Sequence, residues 1–125
     1  MNFPIIADPD RQVATLFDML DYQDPTNVDK KGMPLTVRSV FILDTNHTIR
    51  LMITYPASTG RNFDEILRVV DSLMLTEKHK VCTPANWKPG QDVIIPPSVS
   101  NEDANVKFPG FKMIKPYLRF TSGKF

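Results

Sequence analysis

The chain has 125 residues, 42% of them hydrophobic, which suits one domain of ordinary size with a real core. Its formal net charge of +1, with acidic and basic residues interleaved, gives no electrostatic case for nucleic acid or an anionic membrane as partner. No apolar run approaches the roughly 18 residues that span a bilayer, and the single cysteine, Cys82, excludes an internal disulfide and fits a reducing compartment.

The first residues, Met1 to Ile6, lack a basic n-region and a long apolar core, so they are not a secretory signal. Phe3 to Ile6 reads instead as a short strand, an abrupt start for a whole domain. Asp8 as N-cap, Pro9 in the first helical position and Val13, Leu16, Phe17 and Leu20 at helical spacing predict an amphipathic helix over 9–20. Residues 21–34 are a polar loop. Thr36 to Leu43, apolar apart from Arg38 and Ser39, predicts a strand buried on both faces. A turn at 44–47 and an alternating strand over 48–54 complete a hairpin.

Asn62 with Glu65 three residues later marks a helix start, and the apolar stripe from Phe63 to Met74 predicts a helix over 63–74. From about Thr76 the character changes. Pro84, Pro89, Pro96 and Pro97 surround Trp87 and Val93-Ile94-Ile95, which predicts an ordered but irregular arm rather than a sheet interior. Ser100 caps a short helix around 101–108, and Tyr117 to Thr121 is a last strand. The aromatics of the arm need a covering surface, either another layer of the fold or a partner subunit.

For chemistry, Arg38 and Arg61 stand out. A guanidinium cannot shed its proton to escape burial, so an arginine inside an apolar strand needs a lasting anionic or strongly polar partner. Either the two arginines are salt-bridged to carboxylates, or they hold a thiolate or a polarised oxygen at one sheet edge. Cys82, beside Lys78, His79 and Lys80, reads as an inert thiol next to a solvated basic run. His47 and His79 are too far apart in sequence for a local ligand pair, and no carboxylate or cysteine cluster has metal-site spacing. Phosphate-loop and serine-elbow motifs are absent too. Trp87, Phe108, Phe111, Tyr117 and Phe120 lack the basic groove of a base-stacking platform and read as core or interface.

Lys31 to Phe41 resembles the stretch around the active-site arginine of the one-cysteine peroxiredoxins, and Thr54 to Val70 resembles that family's next segment. Thr83 to Trp87, Asp92 to Val99 and Lys115 to Thr121 are similar to its C-terminal extension. The resemblance implies an α/β fold: the C-terminal half of a thioredoxin-like layer over 1–75, then a dimerisation arm over 76–125. It implies an antioxidant thiol peroxidase that needs no cofactor, takes peroxide as substrate and uses glutathione or thioredoxin as reductant. The complete protein is then cytoplasmic or mitochondrial and a homodimer.

By the same resemblance Arg38 holds the thiolate and polarises the peroxide, and Arg61 supports that pocket. Trp87, Ile94, Ile95, Tyr117 and Phe120 fall at the dimer interface. The family's nucleophile follows a proline by seven residues and a threonine or serine by three. Cys82 has Leu75 and His79 at those places, so the chain is expected to supply the arginines and the dimer surface but no nucleophile. The aspartate of the phospholipase-like triad that some members carry falls on Asn46, with Asp44 two residues away, and lipase activity is not expected. The alternative is a non-catalytic interaction module that pairs with full-length subunits.

Overall fold

In the computed structural model, which describes residues 2–125, the chain divides into two compact units, Met1–Arg61 and Asn62–Phe125. In the first unit, helix α1 covers only Gln12–Leu16. Asp8 caps it from a distance: its carboxylate accepts from the backbone N–H groups of Val13 and Ala14, both at 2.9 Å. The helix is shorter than predicted at both ends because Arg11 and Asp18 sit in the left-handed region, at φ 61° and 52°. Phe3 to Ile6 forms no strand and is exposed, since no ladder partner lies beside it among the described residues.

Strands β1 (Arg38–Leu43) and β2 (Ile49–Tyr55) form the expected antiparallel hairpin, with Arg38 opposite Tyr55 and Phe41 opposite Met52. Asp44 shapes the turn by accepting from the backbone N–H groups of Asn46 and Thr48 at 2.9 and 3.0 Å. Among the described residues the sheet has only these two strands. β1 is therefore half-buried rather than enclosed on both faces, contrary to what its apolar run predicts.

The second unit holds helix α2 (Phe63–His79), β3 (Val93–Ile95), helix α3 (Asn101–Lys107), β4 (Lys112–Lys115) and β5 (Leu118–Thr121). The Asn62 side chain accepts from the Glu65 N–H at 3.2 Å and starts α2, which runs a turn further than its apolar stripe suggested before ending at left-handed Lys80. Ser100 caps α3 through the Asp103 N–H at 3.0 Å, as its sequence implies. The arm is not free of sheet: β3, β5 and β4 form an antiparallel sheet with β5 in the centre. The prolines border β3 rather than interrupt it.

Most of the core lies in this unit. Val81, Trp87, Val93, Ile95, Ala104 and Phe108 form one buried cluster, with Leu75, Val99 and Phe111 packed on it. Trp87 satisfies its indole N–H on the Gln91 carbonyl at 3.0 Å. Gly123 lies so close to that same carbonyl oxygen that a Cβ there would collide with it.

Candidate active-site arginines and their setting

Arg38 is the first residue of β1, and its side chain is exposed rather than buried in the strand. Its Nε donates to the Ala57 carbonyl at 3.3 Å. Ala57 belongs to the turn after β2, closed by the Thr59 N–H on the Pro56 carbonyl at 2.9 Å, and Arg61 follows two residues beyond that turn. Arg38 and the turn leading to Arg61 therefore share one end of the hairpin. Arg61 is exposed as well. Among the described residues, neither arginine has an acidic partner within salt-bridge distance. Of the two readings open from sequence, salt-bridged to carboxylates or holding a thiolate or polarised oxygen, the described residues supply no carboxylate partner for the first.

A cleft of about 550 Å³ opens beside this end of the hairpin, lined by Val37, Tyr55, Pro56, Ala57 and Ser58 on one side and by Asp18, Asp21 and Asp24 on the other. Asp21 is nearly buried, and its carboxyl is held below the usual aspartate range by the Asn27 amide and by the Asp24 and Gln23 N–H groups. It serves the loop.

Asp44 is equally committed. The Thr48 and Asn46 N–H groups and Arg50 hold its carboxyl below the ordinary range, and these contacts order the turn. Cys82 is an exposed free thiol whose backbone bridges to Ile94. Among the described residues no group of histidines, cysteines and carboxylates is placed to hold a metal ion.

The residues assigned to an interface separate into two kinds. Trp87 is 1% exposed and Ile95 0%, so both belong to the interior of their own unit. Ile94 and Phe120 are half-buried, and Tyr117 stands out at 70% exposed. Two other arginines carry weight that sequence reasoning missed. Arg68 makes a two-pronged contact with Glu65 at 2.6 and 2.7 Å and reaches the Trp87 carbonyl at 3.3 Å, tying α2 to the turn that bears the tryptophan. Arg119, 3% exposed on β5, donates to Asn101 Oδ1, Pro96 O and Val99 O at 2.6–2.8 Å. The spacing of Glu65 and Arg68 was the available signal for the first; for the second it was an arginine among the apolar residues of the last strand.

Residues 72–110 match a family model described as the C-terminal domain of 1-Cys peroxiredoxin. The mitochondrial peroxiredoxin PRX1 of Saccharomyces cerevisiae is 55% identical over 124 residues, 99% of this chain and 47% of the relative. Peroxiredoxin-6 of Gallus gallus is 51% identical over 127 residues, 97% of this chain and 55% of the relative. A solved structure of a yeast mitochondrial 1-Cys peroxiredoxin superposes with a TM-score of 0.84 at 55% identity, over 97% of this chain and 56% of that one. A cysteine-to-serine mutant of peroxiredoxin 6 from Arenicola marina gives 0.90 at 47% identity, over 98% and 57%. The chain spans about half the length of the curated relatives it matches. The fold is the α/β arrangement of peroxiredoxin structures.

Proposed function

Because this chain belongs to the one-cysteine peroxiredoxins, we propose that it acts as the C-terminal portion of an antioxidant thiol peroxidase. In that reaction a cysteine thiolate attacks one peroxide oxygen. The S–O bond forms as the O–O bond breaks, and the departing oxygen leaves as hydroxide or alkoxide and takes a proton. An external thiol then reduces the sulfenic acid, with glutathione or thioredoxin as the expected reductant. The yeast relative's structure is described in terms of thiol resolution through those two systems. The working compartment is the cytoplasm or, as for the yeast relative, the mitochondrion.

The observation that carries this reading is the pair of uncommitted cations at one end of the hairpin. A fixed positive charge lowers the pKa of a nearby thiol and stabilises negative charge on the leaving oxygen. An arginine already neutralised by a carboxylate would do neither well. Arg38 is the residue assigned to thiolate and peroxide, with Arg61 in support. Residues 1–75 are the partial thioredoxin-like layer and 76–125 the extension. Within the extension, Tyr117, Ile94 and Phe120 are the side chains left to face a second subunit, since Trp87 and Ile95 are taken up inside. The nucleophile comes from outside these residues, because Cys82 lacks the proline and the threonine or serine that precede it in the family motif.

The test is a chimera in which this chain replaces the corresponding half of the yeast mitochondrial relative. It should reduce peroxide in the presence of glutathione or thioredoxin, and Arg38→Ala should lower kcat/KM by about 100-fold or more, the scale of losing one stabilising donor. Full activity after Arg38→Ala would overturn the assignment.

A further inference from the structure

The turn after β2 holds an open hydroxyl beside both arginines. Ser58, Thr59, Gly60 and Arg61 are all exposed, and a Cβ built on Gly60 would meet nothing within 4 Å. Thr59 ends the turn, with its N–H on the Pro56 carbonyl. Arg38 donates to the Ala57 carbonyl two residues before Thr59, and Arg61 follows two residues after it. Consecutive Cα atoms are about 3.8 Å apart, so that carbonyl and the root of Arg61 both lie within roughly 8 Å of the Thr59 Cα. Neither arginine has a carboxylate partner among the described residues, and the sequence has no aspartate or glutamate between Asp44 and Asp64. Ser58 is the poorer acceptor of the two hydroxyls, because it lines the cleft with Asp18, Asp21 and Asp24, whose charge opposes a phosphate.

We propose that Thr59 is a phosphorylation site for a protein kinase that selects a basic residue two positions after the acceptor, and that Arg38 and Arg61 hold the phosphate once it is made. The threonine–x–arginine spacing also occurs at Thr36 and Thr48. Thr36 is half-buried and bridged to Leu20, and the Thr48 backbone is bound to Asp44, which also takes Arg50. Of the three, only Thr59 joins an open backbone to an arginine without a carboxylate. In the transfer, Thr59 Oγ attacks the γ-phosphorus of a nucleoside triphosphate. The new P–O bond forms as the bond to the β-phosphate oxygen breaks, the hydroxyl proton passes to the kinase's base, and the diphosphate leaves. The product carries a charge of about −1.5 to −2 and three acceptor oxygens, which suit two planar guanidinium forks. Held in this way, the phosphate takes both cations away from thiolate and peroxide. That consequence, a peroxidase silenced by phosphorylation, rests on the reading of the site given above; the phosphate clamp does not.

The experiment treats the full chain with ATP and the catalytic fragment of protein kinase C, an enzyme of the required selectivity. Tandem mass spectrometry should place a phosphate on Thr59 that Thr59→Val abolishes and Ser58→Ala does not. Arg61→Ala should slow its incorporation about tenfold, the scale of one lost charge-assisted contact. A phosphorus NMR titration then compares the modified chain with a phosphopeptide spanning residues 55–63, which has Arg61 but not Arg38. The phosphate should titrate at lower pH in the chain than in the peptide, and Arg38→Ala should remove that difference. In the chimera with the yeast relative, phosphorylation should lower peroxide consumption about tenfold or more, while the Thr59→Val chimera, treated alike, keeps its activity. No phosphate on Thr59 overturns the site, and equal titration in chain and peptide overturns the clamp. An active chimera that phosphorylation leaves unchanged overturns the silencing. A chimera inactive before phosphorylation sinks the peroxidase reading alone, since the mass and titration results stand without it.

Discussion

The chain's arginines show how the same side chain acquires different work from its surroundings. Arg119 is 3% exposed and meets only neutral acceptors, two backbone carbonyls and an asparagine oxygen, while its Nε finds no partner. Its planar fork joins β5 to the segment 96–101 that leads into α3. Arg38 is exposed and makes a single bond of 3.3 Å. Arg119→Ala should destabilise the chain by roughly 2–4 kcal/mol, because it removes three hydrogen bonds of a buried guanidinium together with its packing. Arg38→Ala should change stability by less than about 0.5 kcal/mol, as for exposed positions generally. Denaturant unfolding monitored at Trp87 checks both; equal effects would mean that one of these settings is misjudged.

At the scale of elements, α2 carries its own titration. The Arg68 guanidinium holds the Glu65 carboxyl below its ordinary range, and Glu65 in turn raises the Arg68 pKa. A carboxyl whose folded pKa is depressed contributes stability above its unfolded pKa, and that contribution is lost as pH falls through the folded value. The unfolding midpoint should therefore drop on acidification through and below the ordinary glutamate range. Glu65→Gln should flatten that part of the profile, leaving the slopes due to Asp21, Asp29 and Asp44, whose carboxyls are depressed as well. An unchanged profile in Glu65→Gln would show that the pair is screened out by solvent.

Elements with local signals were legible in the sequence. The hairpin follows from alternation around an Asp-Thr-Asn-His turn, and α2 follows from an Asn62 cap and an apolar stripe. Elements that depend on distant partners were not. Phe3 to Ile6 has strand-like residues and no neighbour to pair with, while β4, Lys-Met-Ile-Lys, exists because β5 lies beside it. The proposed site was named by family resemblance more than by physics. The argument that a buried arginine needs a lasting polar partner is sound, but the residue it describes is Arg119; Arg38 sits at the rim of a strand that burial does not reach.

At the scale of the molecule, the core and the arginines of the proposed site lie in different units. Residues 62–125 contain the core cluster and its buried tryptophan, and residues 1–61 present the two arginines on a thinly packed hairpin. A unit with one buried apolar residue among those described draws little stabilisation from its own interior, so what covers it governs its order.

The central claim is that the chain carries the arginines of a peroxidase site without its nucleophile. The most direct measurement is hydrogen peroxide consumption by the purified chain, with glutathione and with thioredoxin, beside a Cys82→Ser control. The account predicts no turnover above that control. Turnover that vanishes in Cys82→Ser would contradict it, because the exposed thiol on the bridge to Ile94 would then be the nucleophile.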